Sequence, residues 1–294
     1  MDEIKVKSLL NKQKKRDHWF LGDYTLNPYA GCSMGCIYCY TRGSKYGGDH
    51  GIKVSAKSNA VPILKKQLKN RILKNERGFI VLGSAADPYP TVEKDLNLTR
   101  EILGLIKRYK FPVHICTKST MIMRDMDILR GIKKDAILPS KLEGRLESGL
   151  IVSFSFSTLK KEISSILEPG APSPMERLET MKKCSEAGFK TGIVNMPVLP
   201  YISDSEEDLE AMVRAAKNYG AHYLMSAGLT LFGEDPEDCR TLYYKFLKEN
   251  YPKIVSEYEK LFRGSFAPSK RYQKYLSFKL EELSLSYGVK NRII

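Results

Sequence analysis

A parallel α/β fold, a partial (β/α)6 barrel of the TIM type with an extension at each end, is what the sequence predicts from three observations. Six short β-branched or apolar runs recur along the 294 residues, amphipathic helical stretches lie between them, and no low-complexity or Pro/Gly/Ser-rich linker divides the chain. The runs are TLNPYAGC (25–32), FIVLGS (79–84), VHICTKS (113–119), LIVSFSF (150–156), KTGIVNMPVL (190–199) and HYLMSAGLTL (222–231).

The helices follow from period and punctuation. Val61, Leu64, Leu68 and Ile72 make one apolar stripe, and Leu98, Ile102, Leu105 and Ile106 make a second. Ser173, Pro174 and Glu176 read as a capping box with proline at the first helical position, opening a stripe of Leu178, Met181 and Ser185 that stops at Gly188. The next helix opens on SDSE, with Ser203 placed to cap and Glu206 to reciprocate, and runs through Leu209, Met212, Val213 and Ala216 to Gly220. Asp235 and Pro236 open a last helical region that Pro252 interrupts. Because each of these elements feeds a further strand, the sheet is expected to be mostly parallel, with its chemistry in the loops at the carboxyl ends of the strands. Residues 1–23 form a basic N-terminal extension, 24–232 the core barrel, and 233–294 a helical, basic C-terminal extension packed on it.

Composition narrows the function classes. Hydrophobic residues at 42% and charged residues at 28% exclude a disordered chain. No apolar run approaches the roughly 20 residues of a membrane span, and the first residues lack a signal-peptide core, so a cytoplasmic protein without a membrane partner is expected. The formal net charge of +14 points to an anionic partner such as nucleic acid, or to a lysine-rich surface that only maintains solubility. From Leu261 to Ile294, seven Lys and Arg face only Glu281 and Glu282, with Tyr272, Tyr275, Phe278 and Tyr287 interleaved. Basic groups among stacking aromatics suit a nucleic-acid surface; tyrosines turned inward on an amphipathic helix would give the same pattern.

Three of the six cysteines, Cys32, Cys36 and Cys39, fall within eight residues as C-x3-C-x2-C, at the end of the first strand. Spacing this short lets one loop aim several sulfurs at one centre, with Gly31 and Gly35 giving the backbone freedom to wrap it. Three thiolates leave one iron of a four-iron cubane without a protein ligand, and an open coordination position is where a metal site does chemistry. The competing reading is a zinc site completed by a residue such as His50, or three buried thiols. Against zinc, there is no second C-x2-C pair, and His18 and His50 sit at no familiar zinc spacing.

The string NPYAGCSMGCIYCY, with SAADPY after the second strand, ICTKS at the third and LEPGAPSPMERL after the fourth, resembles the radical SAM enzymes, and within them the branch that contains spore photoproduct lyase. The resemblance covers roughly residues 24–230. It implies a [4Fe-4S] cluster on Cys32, Cys36 and Cys39 that binds S-adenosyl-L-methionine and cleaves it reductively to a 5′-deoxyadenosyl radical, with a ferredoxin or flavodoxin as electron donor. Tyr38 matches the aromatic beside the adenine. Ser84 and Asp87 stand where the methionyl ammonium is received, and Lys118 where its carboxylate is met.

Period two places Ser153, Ser155 and Ser157 on one face of the fourth strand, so Ser155 is a candidate for a ribose or carboxylate contact if that face is the lumen. Asn195 on the fifth strand is a candidate of the same kind. Arg177 either reaches the cofactor or pairs with Glu168. The lyase's hydrogen-donating cysteine on the second strand is replaced here by Leu82, which puts thymine-dimer reversal, and hence DNA repair by that route, in doubt. Cys116 shares a face with Lys118 and is therefore either a hydrogen donor on the neighbouring strand or a buried core cysteine. Cys184 and Cys239 read as structural. The function expected is hydrogen abstraction from a nucleic-acid or other anionic substrate. Modification of a peptide or small metabolite, or a non-catalytic Fe–S or zinc protein, are the alternatives.

Overall fold

All six predicted runs are strands of one sheet. The computed structural model describes residues 2–45, 47 and 53–294. The elements in chain order are β1 (Asp2–Ile4), β2 (Asn11–Lys12), β3 (Tyr24–Leu26), β4 (Tyr29–Ala30), β5 (Ser55–Lys57), α1 (Ala60–Leu73), β6 (Ile80–Leu82), α2 (Glu93–Leu96), α3 (Leu98–Arg108) and β7 (Val113–Thr117). They continue as α4 (Met126–Asp135), β8 (Leu150–Phe156), α5 (Lys161–Leu167), α6 (Pro174–Glu186), β9 (Lys190–Val198), α7 (Glu206–Asn218), β10 (Tyr223–Gly228), α8 (Cys239–Asn250), α9 (Val255–Phe262) and α10 (Lys270–Tyr287).

The main sheet has the order β10-β9-β8-β7-β6-β3-β2. Its six long-range strands are parallel, and only the two-residue edge strand β2 runs antiparallel, against β3. Consecutive strands are therefore spatial neighbours, the simplest arrangement that repeated βα units produce. A small second sheet, β1-β5-β4, ties the N-terminal segment to the region after the cysteine loop.

Helices α1, α3, α4 and α7 each close one face on the sheet. Leu64 and Leu68 of α1, Ile102 and Ile106 of α3, Leu129 and Ile132 of α4, and Leu209, Met212, Val213 and Ala216 of α7 join one core with strand residues such as Ile80, Ile115, Val152 and Phe154. A second cluster places α8 and α9, through Tyr243, Phe246, Leu247, Tyr258 and Phe262, against Met34, Cys36 and Tyr38. The C-terminal helices thus brace the cysteine loop from outside.

The capping box at Ser173 forms as expected, with Ser173 accepting from the Glu176 amide and Glu176 accepting from the Ser173 amide. The apolar stripe of α6 contains Cys184 rather than Ser185, whose hydroxyl instead donates to the Gly220 carbonyl at 2.8 Å. The cap of α7 is Ser205, not Ser203: its hydroxyl accepts from the Asp208 amide. Ser203 is buried two residues upstream, where it accepts from the Leu199 amide and donates to the Ser157 carbonyl at 2.9 Å. The motif offers two serines two residues apart, and the buried backbone of the β9–α7 loop claims the first. Along α10, Tyr272 and Tyr287 turn inward to Asp204 and Glu210, whereas Tyr275 and Phe278 are 57% and 67% exposed.

Candidate functional site

The cysteine loop leaves β3 through Asn27, whose side chain organises the neighbouring strand end. Its Oδ1 accepts from the amides of Ala85 and Ala86, and its Nδ2 donates to Ser84 Oγ at 3.1 Å. Gly31 and Gly35 both adopt positive φ, at 73° and 66°, which lets the loop fold back at each end of its first turn. A Cβ on Gly31 would stand 2.1 Å from the Lys53 carbonyl oxygen, so the close approach also requires glycine. Arg42, almost wholly buried, donates from Nε to the Cys36 carbonyl at 3.2 Å and holds the end of the loop.

Behind the loop lies a cavity of about 490 Å³ lined at its mouth by Cys32, Cys36, Tyr38 and Cys39. Ser84 and Asp87 from the β6 end, Lys118 from β7 and Ser155 from β8 complete this level. Cys116 and Ser153, paired across β7 and β8, line it one side-chain layer below Lys118 and Ser155, and Phe20, Val81, Val194 and Met196 line it as well. Burial pushes the Cys32 thiol up to about 11 and the Cys36 thiol up to about 12. Among the described residues, no three Cys, His, Asp or Glu side chains converge as the ligands of a single ion would. His50 lies outside the described residues.

Asp87 accepts from Lys118 N at 2.7 Å, Tyr89 N at 2.9 Å and the Thr117 hydroxyl at 2.8 Å. A carboxylate has about four acceptor positions, so three donors leave room for one more. Burial raises its pKa, against the pull of these donors. Lys118 donates to Ser155 Oγ at 2.9 Å and stands 5.9 Å from the centre of the Tyr38 ring. Burial works to lower the Lys118 pKa, but the negative charge of Cys36, when it is ionised, and of Glu168 outweighs it and holds the ammonium charged. With one of its three donors used, the ammonium retains two.

Cys116, Lys118, Ser153 and Ser155 all line the cavity, so the face expected from period two on the third and fourth strands turns to the lumen as far as Ser155; Ser157, one residue past the end of β8, does not line it and donates instead to Glu168 at 2.7 Å. Asn195 is the correction. On β9 it is Val194 and Met196 that face the lumen, and Asn195, between them, is buried on the opposite face without a partner for its Oδ1. Arg177 does not line the cavity. It is 1% exposed, donates to Glu168 at 2.5 Å, to the Ser155 carbonyl at 2.7 Å and to the Pro172 carbonyl at 2.9 Å, and so pairs with Glu168. Leu82 also faces the core, leaving Val81 and Gly83 to the cavity.

Sequence reasoning missed Asn27 and His114. His114 shares the parity of Cys116 and Lys118, a signal that was present. Its Nδ1 lies 2.9 Å from the Phe20 carbonyl, which can only accept, so the proton sits on Nδ1. Nε2 then accepts from Ser153 Oγ at 2.6 Å, and Ser153 accepts from the Tyr223 hydroxyl at 2.6 Å. The Cys116 sulfur stands 3.7 Å from the same Nε2.

Burial pushes His114 down to about 4. A depressed histidine stabilises the fold above the unfolded value near 6.5, and that contribution is lost as pH falls from 6.5 towards 4. In urea unfolding, the stability lead of the parent over His114→Asn is therefore expected to shrink by about 2–3 kcal/mol between pH 7 and pH 4.5. An unchanged lead would mean that His114 titrates normally.

A family model for the Radical SAM superfamily matches residues 26–216. The chain belongs to the Radical SAM superfamily. Members of this family use a [4Fe-4S] cluster and S-adenosylmethionine. An uncharacterised protein of Mycobacterium tuberculosis is 29% identical over 271 residues, covering 90% of this chain and 74% of that one. Another, from Methanocaldococcus jannaschii, is 31% identical over 208 residues, covering 69% and 70%. In fold, this radical SAM chain is similar to spore photoproduct lyase complexed with dinucleoside spore photoproduct, with a TM-score of 0.64, 16% identity, and coverage of 96% of this chain and 78% of that one. It is also similar to a radical SAM methyltransferase from Sphaerobacter thermophilus, with a TM-score of 0.54, 13% identity, and coverage of 91% and 64%. No helix among the described residues is long and apolar enough to cross a membrane.

Proposed function

We propose that this protein is a cytoplasmic radical SAM enzyme that abstracts hydrogen from a nucleic-acid or other anionic substrate. The observation that carries the reading is the single cavity shared by Cys32, Cys36, Cys39, Tyr38, Ser84, Asp87, Lys118 and Ser155. The residues fit a cluster better than a lone zinc ion. Three irons each take one thiolate, so the sulfurs need not converge on one point, and an ammonium stands beside Cys36 to offset the charge of bound thiolates. Cys32, Cys36 and Cys39 would hold the cluster, which would supply the electron for reductive cleavage of S-adenosylmethionine.

The chain's own residues divide the remaining work. Asp87 and Ser84 accept from the methionyl ammonium, and the two spare donors of Lys118 meet the carboxylate. Tyr38 forms a wall for the adenine, and Ser155 faces the ribose. Cys116, whose thiol burial pushes up to about 12, stays protonated deeper in the lumen, where it gives its hydrogen atom to the substrate radical left by the abstraction; the thiyl radical so formed returns to the thiol by taking up one electron from the external donor and one proton. A ferredoxin or flavodoxin supplies the reducing electron.

The anionic substrate is supported by α10 and the loop before it. Phe266, Tyr275 and Phe278 are more than half exposed, with Lys270, Arg271 and Lys274 among them. The Phe266 carbonyl accepts from the Leu231 amide, one residue beyond Thr230 of the cavity lining, so this surface begins at the rim.

Anaerobically reconstituted protein, reduced with dithionite and given S-adenosylmethionine, is expected to form 5′-deoxyadenosine; no product would sink the enzyme reading. Single-stranded DNA or RNA is expected to bind about 20-fold more weakly at 200 mM than at 50 mM salt, as neutralisation of about three phosphates requires. Salt-insensitive binding would remove the electrostatic nucleic-acid site alone.

A further inference from the structure

We propose that Glu168, which lies outside the cavity, is a positioning residue that fixes the Tyr38 ring as a wall of the S-adenosylmethionine site. The inference rests on the reading of that cavity given above. Glu168 is 1% exposed in the loop between α5 and α6, and its two oxygens serve different ends. Oε2 accepts from Arg177 Nη2 at 2.5 Å, an ion pair that satisfies two buried charges. Oε1 accepts from the Tyr38 hydroxyl and from Ser157 Oγ, the latter at 2.7 Å. One oxygen anchors α6, and the other is given to the cysteine loop and the end of β8.

The loop that carries Glu168 lies directly against the cysteine loop. Ile37 N donates to the Leu167 carbonyl at 3.0 Å and Gly170 N donates to the Met34 carbonyl at 3.0 Å. A Cβ on Gly170 would stand 1.9 Å from the Ser33 carbonyl oxygen. The two backbones therefore move together, and the remaining freedom of Tyr38 is in its two side-chain torsions. A hydrogen bond from the phenol to a buried side-chain oxygen removes that freedom, because swinging the ring would leave Glu168 Oε1 short of a donor where it is enclosed. With the Lys118 ammonium 5.9 Å from the ring centre, the ring's position also bears on the group that meets the cofactor carboxylate.

Two variants separate positioning from support. Tyr38→Phe deletes only the hydroxyl, and Glu168→Gln keeps an acceptor for Tyr38 and Ser157 but removes the charge that faces Arg177. Each is compared with the parent as reconstituted holoprotein for iron and sulfide content, Tm, Kd for S-adenosylmethionine, and the change in the reduced-cluster EPR signal when it is added. Tyr38→Phe is expected to keep its iron and a Tm within a few degrees of the parent, yet to bind S-adenosylmethionine about tenfold more weakly. Glu168→Gln is expected to show the reverse, a clearly lower Tm with affinity reduced less than about threefold. Unchanged affinity in Tyr38→Phe, or losses of affinity that follow Tm in both variants, overturns the proposal and leaves the cavity reading intact. A parent whose cluster signal does not respond to S-adenosylmethionine overturns the cavity reading, and this proposal with it.

Discussion

Cys36→Ala protein is expected to fold, to retain little iron, and to form 5′-deoxyadenosine more than about 100-fold more slowly than the parent. The magnitude follows from the weaker case: removing a residue that merely orients a metal ligand costs 10- to 100-fold, and a ligand is worth more. The fold should tolerate the change, because a buried thiol behaves as a small apolar group and its loss opens only a small void. Cys184→Ala is the matched control. Cys184 is also buried, with its thiol pushed up to about 12, but it packs between α6 and the sheet, away from the cavity. Iron content and rate should be unchanged in that variant. Equal loss in both would mean that general instability, rather than ligation, accounts for the effect.

Arg177→Met is expected to destabilise the protein by about 3–5 kcal/mol, measured by urea unfolding. Arg177 is fully enclosed and satisfies one carboxylate and two backbone carbonyls at once, while its guanidinium carbon lies 5.1 Å from the centre of the Phe156 ring. Methionine fills much of the volume but leaves the buried Glu168 carboxylate without its ion-pair partner. Burial alone would raise the Glu168 pKa, and Lys118 and Arg177 together hold it below the ordinary carboxylate range. Adding Glu168→Gln to Arg177→Met should therefore recover part of the loss, since the pair is then neutral and an amide oxygen still accepts from Tyr38 and Ser157. A double variant no more stable than the single would show that lost packing, not stranded charge, dominates.

The strands were readable because each βα unit writes its own local signal, an apolar run followed by an amphipathic period. Parity carried Cys116, Lys118, Ser153 and Ser155 to the same lumen once β7 and β8 paired Cys116 with Ser153. It failed for Asn195 because the face a strand turns inward depends on its register with its neighbour. β8 pairs Ser155 with Val194, and nothing in the β9 run itself says so. Ser203 and Ser205 show the same limit at a helix start, where two equivalent caps compete and burial of the loop decides. Glu168 was visible only as a partner for Arg177 nine residues on; its bond to Tyr38 spans 130 residues and has no period to reveal it.

The main sheet ends in β10 at one side and the two-residue β2 at the other; among the described residues these do not pair with each other, and β10 instead carries the C-terminal segment through the Tyr223–Lys290 bridge and the Leu224 amide, which donates to the Lys290 carbonyl at 2.8 Å. A sealed barrel would admit only what fits through its top. A sheet that does not close leaves the cavity itself, about 490 Å³, as the limit on what the ends of its strands enclose at once. On the proposed function that volume is shared by the cofactor and the group under attack, so the cavity limits the thickness of the segment that enters it rather than the mass of the molecule that carries it.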